Sequence, residues 1–430
     1  MSLLSRRLLL VLFTLVFIIG GSIIVLYGLG WRLNLENFQI QKTGAIAIQT
    51  TPRGVVIKLD NKEFSDDSNI IQNHTLIPNL LPKTYTVTIE KEGFQKYRKI
   101  LKLKPSLVET INAFLPPNKF KSETLAKSIK GNVIIDVSTD SNKIISLNSL
   151  SGNFYLYDLK NPKTALNLGV LAANILSENT TALEIKKVGF LPFDSNRIII
   201  ETKNGLIILD TERRQKESLI EEKILSWNIR GSTVYFVKTK KGDKNIVSFL
   251  SYNLVFKTQN TLFEITSSTA KFPVKSVEAS RSGNRIAFLD SGGGLYLFTE
   301  KNPLPEKIAH SVKFFEFSPN NRAIAFLDTN GTINVRFIDE WDEIFRKKIG
   351  DVSRFELAKK QGLEKIFWYK DSLRLLAGKS NEVSLTEIDD RPPLNLYNIE
   401  NGFDNLFYDG ENNFIYILRQ GQFQKVSLES

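Results

Sequence analysis

The spacing of hydrophobic positions changes twice along the chain. Residues 8–29 form 22 consecutive residues without a charge, most of them apolar. From Gly44 onwards, short runs alternate apolar and polar residues and are separated by turn residues, which is the pattern of β-strands. A second series of such runs follows Pro116-Pro117. The pattern therefore predicts one long helix followed by two all-β regions, residues 44–117 and 118–430.

The first apolar stretch has the properties of a transmembrane helix. A helix of 22 residues is about 33 Å long, which is enough to cross the hydrocarbon core. Arg6 and Arg7 precede it and only Arg32 follows closely, so the positive-inside tendency predicts a cytoplasmic tail at residues 1–7 and a transmembrane helix at residues 8–30. The rest of the chain is then extracytoplasmic, at the plasma membrane. A cleaved signal peptide is the alternative, but its apolar stretch is normally shorter, so an uncleaved anchor is favoured.

The region after the helix predicts a small β domain. Its strands are expected at Ala45–Gln49, Val55–Leu59, Tyr85–Ile89, Arg98–Leu103 and Val108–Leu115. Leu101 and Leu103 point to one face of the fourth run, whereas Arg98, Lys102 and Lys104 point to the other. We expect about seventy residues of this kind to fold as a small antiparallel sandwich.

Three segments of this region resemble a known family. Thr50–Asp60 reads Thr-Thr-Pro-Arg-Gly-Val-Val-Ile-Lys-Leu-Asp, and it is followed by the run Leu80–Ile89 and by Lys91-Glu92-Gly93-Phe94. Residues 44–117 resemble the PEGA domain, although Arg53 and Val55 replace the Glu and the Ala of the motif for which the family is named. The resemblance implies a β-sandwich with no known catalysis, in a bacterial protein that displays it between a membrane anchor and another domain.

The region from residue 118 onwards repeats itself. Polar turns recur near residues 142, 196, 232, 284, 321, 372 and 412, with a mean spacing of about 45 residues, which is the length of a four-stranded propeller blade. The two clearest repeats are Glu278–Asp290 and Phe315–Asp328. Seven units predict a seven-bladed β-propeller over residues 118–430, and a β-sandwich array is the alternative.

The ends of the repeat region predict how a ring would close. The last repeat supplies only three strands before Ser430, whereas Lys119–Ile129 belongs to no other repeat. Because an incomplete blade would leave an unpaired edge, we expect part of Lys119–Ile129 to form the outer strand of the last blade.

The fifth repeat carries a second resemblance. Its string Ser-Pro-Asn-Asn-Arg-Ala-Ile-Ala-Phe, residues 318–326, is similar to the WD-repeat-like motif of TolB-type propellers. That resemblance implies a propeller but no particular ligand, because propellers serve as enzymes and as binding platforms alike.

Composition excludes several kinds of site. The chain has no Cys and only two His, His74 and His310, which leaves out thiolate metal sites and thiol nucleophiles and gives little from which to build a His-based triad. The two carboxylates of Asp389-Asp390 point to opposite faces of an extended chain, which is poor geometry for a shared acid and base. The sequence predicts no catalytic residue, no metal site and no cofactor.

Positive charge is concentrated in one predicted hairpin. The chain carries a formal net charge of +11, and residues 83–104 alone have seven Lys and Arg against two Glu, a net of +5. An anionic lipid surface or an acidic envelope polymer would be attracted to such a patch, whose candidate contact residues are Lys96, Arg98, Lys99, Lys102 and Lys104. The alternative is a solvated strand face whose lysines discourage edge pairing. Nucleic acid is not expected for a domain outside the cell.

Two hypotheses for function follow. The first is a non-enzymatic, membrane-anchored protein whose propeller binds an envelope polymer or a protein. The second is a propeller enzyme acting on glycans or peptides, which requires at least two converging carboxylates with perturbed pKa values. Since no spacing in the sequence marks such a pair, the first is favoured.

Overall fold

The computed structural model describes residues 3–35, 38–68, 73–176, 182–240, 243–266, 274–342, 344–357 and 362–428. Met1 and Ser2 of the expected cytoplasmic tail lie outside these residues. The chain divides into two compact units, and β-strands predominate in both. Unit 1 comprises Met1–Asn118 and two short segments, Trp341–Arg346 and Arg391–Asn395; unit 2 comprises Lys119–Glu340, Lys347–Asp390 and Leu396–Ser430.

Unit 1 begins with an apolar helix, α1, Leu3–Gly28. Its segment Ser5–Gly28 has a mean hydropathy of 2.9 and its side chains are not buried by protein. By length and composition, it is suited to be a membrane anchor or a signal sequence. A hairpin that the sequence analysis did not predict follows it, with strands β1, Trp31–Asn34, and β2, Gln39–Lys42.

Two sheets form the rest of unit 1. One has the order β5-β4-β7-β8 and the other β6-β3-β9. Their bounds are β3 Gly44–Thr51, β4 Val56–Leu59, β5 Lys62–Ser65, β6 Thr75–Leu80, β7 Thr84–Glu90, β8 Tyr97–Lys102 and β9 Val108–Phe114. Both sheets contribute to one apolar core, for example Ile48 from β3, Ile57 from β4 and Ile111 from β9. Alternate residues of each strand point into this core, as the period of two predicted.

The expectation of a purely antiparallel arrangement is wrong for one pair of strands. β3 and β9 run parallel, with Ile46 beside Glu109 and Ile48 beside Ile111. Between them the chain passes through the other sheet, returns as β6 and passes through the other sheet again, so β9 reaches β3 by a crossover connection and not by a hairpin.

Unit 2 is a succession of four-stranded antiparallel sheets, seven of them among the described residues. The first six are β11 Val133–Val137, β12 Lys143–Asn148, β13 Asn153–Asp158 and β14 Ala165–Asn167; β15 Lys187–Leu191, β16 Asp194–Thr202, β17 Gly205–Asp210 and β18 Gln215–Ile220; β19 Ser226–Arg230, β20 Thr233–Lys240, β21 Asp243–Asn253 and β22 Thr258–Thr266; β23 Val274–Ala279, β24 Arg285–Asp290, β25 Leu295–Thr299 and β26 Asn302–Ala309; β27 Val312–Phe317, β28 Ala323–Asp328, β29 Ile333–Phe337 and β30 Val352–Phe355; and β31 Leu363–Trp368, β32 Arg374–Lys379, β33 Glu382–Glu387 and β34 Leu396–Asn401. In each of these sheets the strands follow one another in chain order, which is consistent with a β-propeller.

The last sheet joins the two ends of unit 2. It consists of β35 Asn405–Asp409, β36 Phe414–Arg419 and β37 Gln422–Ser427, with β10 Ser122–Ala126 as its outer strand. β10 runs antiparallel to β37, so that Ser122 faces Val426 and Glu123 faces Lys425. The prediction that part of Lys119–Ile129 completes the last sheet is therefore confirmed.

Serine side chains shape the turns between the first and second strands of several sheets. Ser138 Oγ accepts the backbone N–H of Lys143 at 2.8 Å, and Ser318 Oγ accepts that of Ala323 at 2.9 Å. Ser280 makes the equivalent bond to Arg285 at 3.2 Å. These short hydroxyl side chains replace a backbone acceptor in a tight turn. Because the turn favours serine at this position, the repeat is easiest to recognise in the sequence at its turns.

The outer strand of the first sheet is shorter than the run that predicts it. The run Thr164–Val170, which follows Asn153–Leu159, predicts an outer strand for this sheet. The structure forms only the three-residue β14 there and continues as helix α2, Leu168–Leu176. Leu168, Ala172 and Ala173 are buried, and their spacing places them on one helical face.

Candidate functional site

The predicted basic surface lies on the hairpin of β7 and β8 in unit 1. Arg98, Lys102 and Lys104 are exposed, as the alternation predicted. Lys96 is also exposed and forms an ion pair with Glu90, which lowers the pKa of that carboxyl. Four of the five candidate residues are therefore on the surface, and one of the four already has an acidic partner.

Lys99 does not belong to that surface. It is fully buried and shares the core face of β8 with Tyr97 and Leu101. Its ammonium lies 3.5 Å from the carbonyl oxygen of Pro393. The correction follows from the two-residue period of the strand, because Lys99 has the parity of Leu101 and not that of Arg98.

The segment Arg391–Asn395 covers the edge of β8 within unit 1. The Asn395 side chain accepts the Arg98 N–H at 3.1 Å and donates to the Arg98 carbonyl at 2.9 Å. Ile100 donates its N–H to the Pro392 carbonyl at 2.7 Å. Since the segment Arg391–Asn395 already satisfies backbone groups at this edge of β8, the lysines of β8 are not needed there to prevent edge pairing.

In unit 2, polar side chains on the first strands of the sheets bind the backbone of the following sheet. Asp136 Oδ2 accepts the Phe190 N–H at 2.8 Å, and Glu316 Oε2 accepts the Trp368 N–H at 3.0 Å. Glu278 accepts the N–H of Phe317 in the same way. We call Asp136, Glu278 and Glu316 the bridging carboxylates.

Asparagine and serine do the same elsewhere. Asn405 Oδ1 accepts the Ile134 N–H at 2.9 Å, and this bond links the last sheet to the first. Ser226 Oγ accepts the Val277 N–H at 3.2 Å between the third and fourth sheets. The bridging groups therefore act as side-chain extensions of the backbone hydrogen-bond network.

Two of the bridging carboxylates belong to a charged cluster with Arg230 and Lys187. Arg230 forms an ion pair with Glu278 and also donates to the Ala279 carbonyl at 3.3 Å. Burial raises the pKa of Glu278 despite this partner. Burial, and then the nearby charge of Glu278, raise the pKa of Glu316 to about 8. The two glutamates therefore share an environment that disfavours simultaneous ionisation.

Lys187 occupies a confined position beside Trp227. Its ammonium donates to the Trp227 carbonyl at 2.6 Å and lies 4.5 Å from the centre of the indole ring. Trp227 in turn donates its indole N–H to Glu201 at 3.0 Å. Desolvation lowers the pKa of Lys187, and the carboxylates of Glu201 and Glu278 oppose that shift. The Lys187 side chain nevertheless keeps access to solvent.

The bridging carboxylates are not among the predicted site residues, yet the sequence contains a signal for them. Asp136, Glu278 and Glu316 each stand two residues before the serine of a repeat turn, in Asp-Val-Ser, Glu-Ala-Ser and Glu-Phe-Ser. An acidic residue recurring at one repeat position predicts several carboxylates at equivalent places in successive sheets. Arg230 and Lys187 carry no such pattern, and only the fold brings them to Glu278.

A polar cleft lies on the second sheet and extends to the first sheet. It consists of two adjoining cavities of about 450 Å³ each, which share Asn196 and Glu212 in their linings. Asn196 donates to Glu212 at 2.6 Å and accepts a hydrogen bond from Lys143. Charged side chains of both signs line the rest: Asp140, Asp158, Lys160, Asp194, Arg197, Asp210, Arg213, Lys216 and Glu217.

Local hydrogen bonds favour the charged form of one carboxylate of the cleft, Asp140. Burial alone would raise the pKa of Asp140, but hydrogen bonds from Ser138, Asn142 and Ser195 leave it well below its usual range. Arg197 binds Glu217 at 2.8 Å. Within the part of the chain that the structure describes, no group of three or more His, Asp or Glu side chains is placed to hold a metal ion.

Comparison with known proteins gives a fold likeness only. No protein-family model matches the sequence, and no curated protein matches it. Among solved structures, the chain is similar to the β-propeller domain of Cps50 (Swd1) from Myceliophteria thermophila. That similarity has a TM-score of 0.47 and 9% sequence identity, and it covers 71% of this chain and 99% of the other.

Proposed function

We propose that this chain is a membrane-anchored binding or scaffold protein and not an enzyme. In this proposal α1 crosses the plasma membrane once, residues 1–7 are cytoplasmic, and the remainder is extracytoplasmic. A PEGA-like β-sandwich at residues 44–117 acts as a spacer, and a seven-bladed, TolB-like propeller at residues 118–430 binds an envelope polymer or a protein. The succession of four-stranded sheets, closed by β10 on β37, supports the propeller part of the proposal.

The observation that carries the binding role is the polar cleft. Its lining combines carboxylates, amides and basic side chains, with only a few apolar residues such as Ile208 and Leu156. Small-molecule and cofactor sites are usually apolar with few polar groups, whereas this lining fits an extended polar chain. A peptide segment or a polysaccharide has the mixture of donors and acceptors that such a cleft can satisfy.

One observation favours the enzymatic alternative. Glu278 and Glu316 lie close enough for their charges to interact, and both have raised pKa values, as expected of a general acid beside a second carboxylate. However, each already accepts a backbone N–H from the next sheet, and Glu278 is also paired with Arg230. These contacts give both carboxylates a complete structural role, so we favour binding.

A pull-down with matched variants tests the cleft. Full-length protein in detergent is used to capture material from envelope extracts, which is then analysed by mass spectrometry and by sugar analysis. Lys160→Glu with Lys216→Glu reverses two exposed charges in the cleft, and Lys275→Glu with Lys301→Glu makes the same change of charge elsewhere on unit 2. We expect the captured material to be lost with the cleft variant and kept with the control.

Two other results would contradict the proposal. Equal capture by both variants would rule out the cleft as the binding surface. Release of soluble products from envelope glycans or peptides by the wild type, abolished in Glu316→Gln, would establish the enzyme instead.

Protease accessibility tests the orientation. Protease added to intact cells or spheroplasts should digest everything after residue 32 and leave the anchor. Protection of unit 2 in that assay would reverse the orientation, and its appearance free in the medium would mean that α1 is cleaved.

A further inference from the structure

The hairpin of β1 and β2 has one apolar face and one polar face. Trp31 pairs with Lys42 and Leu33 with Ile40 across the two strands, so these four side chains share a face. The alternate pairs, Arg32 with Gln41 and Asn34 with Gln39, lie on the opposite face. The alternation extends into the turn, where Leu35 and Phe38 are also apolar.

The apolar face is left uncovered by the protein. Leu33 is 52% exposed, Leu35 71%, Phe38 80% and Ile40 59%. Among the described residues, β1 and β2 pair only with each other. A two-stranded hairpin is at best marginally stable in water, and a contiguous apolar patch of this kind marks an interaction surface.

The hairpin is held directly at the end of α1. Only Leu29 and Gly30 separate Gly28 from β1, and the Leu29 N–H still donates to Val25 at 2.9 Å. The Arg32 guanidinium lies 3.4 Å from the centre of the Tyr27 ring and donates to the Tyr27 carbonyl at 2.6 Å. The hairpin therefore begins within one helical turn of the apolar helix.

The polar face is directed towards the small β domain. Arg32 donates to the Asn79 side chain at 3.0 Å, and Asn79 lies in β6. At the base of the hairpin, Thr43 donates its N–H to the Gly30 carbonyl at 2.8 Å. These contacts leave the apolar face on the side away from β6.

We propose that the apolar face of this hairpin lies in the headgroup region of the bilayer that α1 crosses, with lipid as its occupant. The inference rests on the proposed membrane crossing of α1. Trp31 favours that depth because its ring is amphipathic, and the Lys42 ammonium, 5.5 Å from the ring centre, can reach lipid phosphates while its stem stays apolar. The chain is thereby attached to the membrane by a helix and by an interfacial hairpin.

Site-specific labelling of the full chain tests this placement. The chain has no cysteine, so a single introduced thiol can be labelled alone with an environment-sensitive fluorophore. Ile40→Cys probes the apolar face, Gln39→Cys probes the polar face one residue away, and Val16→Cys probes the middle of α1. Each variant is placed in nanodiscs holding one chain per disc, and quenching by nitroxide-labelled lipid is compared with quenching by iodide in water.

Lipid contact predicts opposite results at neighbouring positions. The label at position 40 should be quenched several-fold more by nitroxide lipid than the label at position 39, should emit at shorter wavelength, and should resist iodide. If both labels respond to iodide alone while position 16 is quenched by lipid, the hairpin inference is wrong and the membrane crossing stands.

The remaining outcomes also decide between occupants. A label at position 40 that resists both quenchers would mean that protein covers the face, which overturns lipid as the occupant. A label at position 16 that lipid does not quench would show that α1 does not cross the membrane, and the proposed function would fail together with this inference.

Discussion

Replacing Ile129 with alanine tests how strongly the beginning of unit 2 holds its last sheet. Ile129 follows β10, is 9% exposed, and belongs to the same buried cluster as Tyr416 of β36 and Phe423 of β37. Its backbone N–H donates to the Gly421 carbonyl at 2.9 Å, so the residue is held in place independently of its side chain. Ile129→Ala therefore removes buried contacts without altering the strand pairing.

The expected loss can be estimated from its burial. Truncating a buried isoleucine to alanine costs roughly 2–5 kcal/mol, and about 3 kcal/mol is a reasonable centre for a site near the edge of a sheet. Unit 2 has about 300 residues, so its unfolding entropy is roughly 0.6 kcal/mol per degree. We therefore expect the melting temperature to fall by about 5 °C.

Differential scanning calorimetry of the full chain in detergent measures this change. Leu150→Ala serves as the control, because Leu150 is 98% exposed in the first sheet and should move the melting temperature by less than about 1 °C. If the sheets of unit 2 unfold together, the whole transition should shift as one. A shift of less than 1 °C for Ile129→Ala, or a separate early transition for the last sheet, would refute the view that β10 and its neighbours secure the unit.

Three further changes probe the charged groups. Burial raises the pKa of Asp136 to about 7, so between about pH 4 and 7 the folded chain holds a proton that the unfolded chain has lost. The free energy of unfolding should therefore fall as pH rises through that window. Asp136→Asn should remove the fall, as measured by urea titrations at pH 5 and 8. Arg230→Met should cost about 1–3 kcal/mol by leaving Glu278 buried without its partner, and the double change with Glu278→Gln, which keeps the acceptor for the Phe317 N–H, should recover most of it. Lys99→Glu should destabilise the small β domain by about 3 kcal/mol or more in thermal unfolding, whereas Lys102→Glu should change it by no more than about 0.5 kcal/mol.

Each of these has a result that would contradict it. An unchanged pH slope in Asp136→Asn would mean that this carboxyl is ionised in the folded chain below pH 7. Wild-type stability in Arg230→Met would show that Glu278 needs no cation. Equal stability of the two lysine variants would mean that Lys99 is not in the core.

Local periodicity predicted most strands, because a strand with one buried face has apolar residues at every second position, and these show which side chains point into the core. Lys99 shows that the same parity was available for the basic hairpin: two residues from Leu101, it had to lie on the core face. The hairpin at Trp31–Lys42 alternates as clearly in its first strand, Trp-Arg-Leu-Asn, but four alternating residues directly after an apolar helix do not distinguish a strand from a connection.

Other features needed the fold itself. The run Leu168–Leu176 is apolar apart from Asn174, and such a short run does not distinguish a buried strand from a buried helix. The ion pair of Arg230 with Glu278 joins residues 48 apart in sequence, and only the packing of neighbouring sheets brings them together. Repeat position could indicate the carboxylates, but no local pattern could indicate their cationic partner.

The pairing of β10 with β37 has a consequence for how the chain is made. β37 is an inner strand of its sheet, with β36 on one side and β10 on the other. Residues 122–126 leave the ribosome some three hundred residues before their partner strand, so they cannot pair with it until the other sheets of unit 2 have been synthesised. Until Val426 emerges, every shorter nascent chain is an open chain of sheets with two exposed edges. A premature stop at Gln422 would thus leave the strand at the beginning of unit 2 without its partner as well as removing β37.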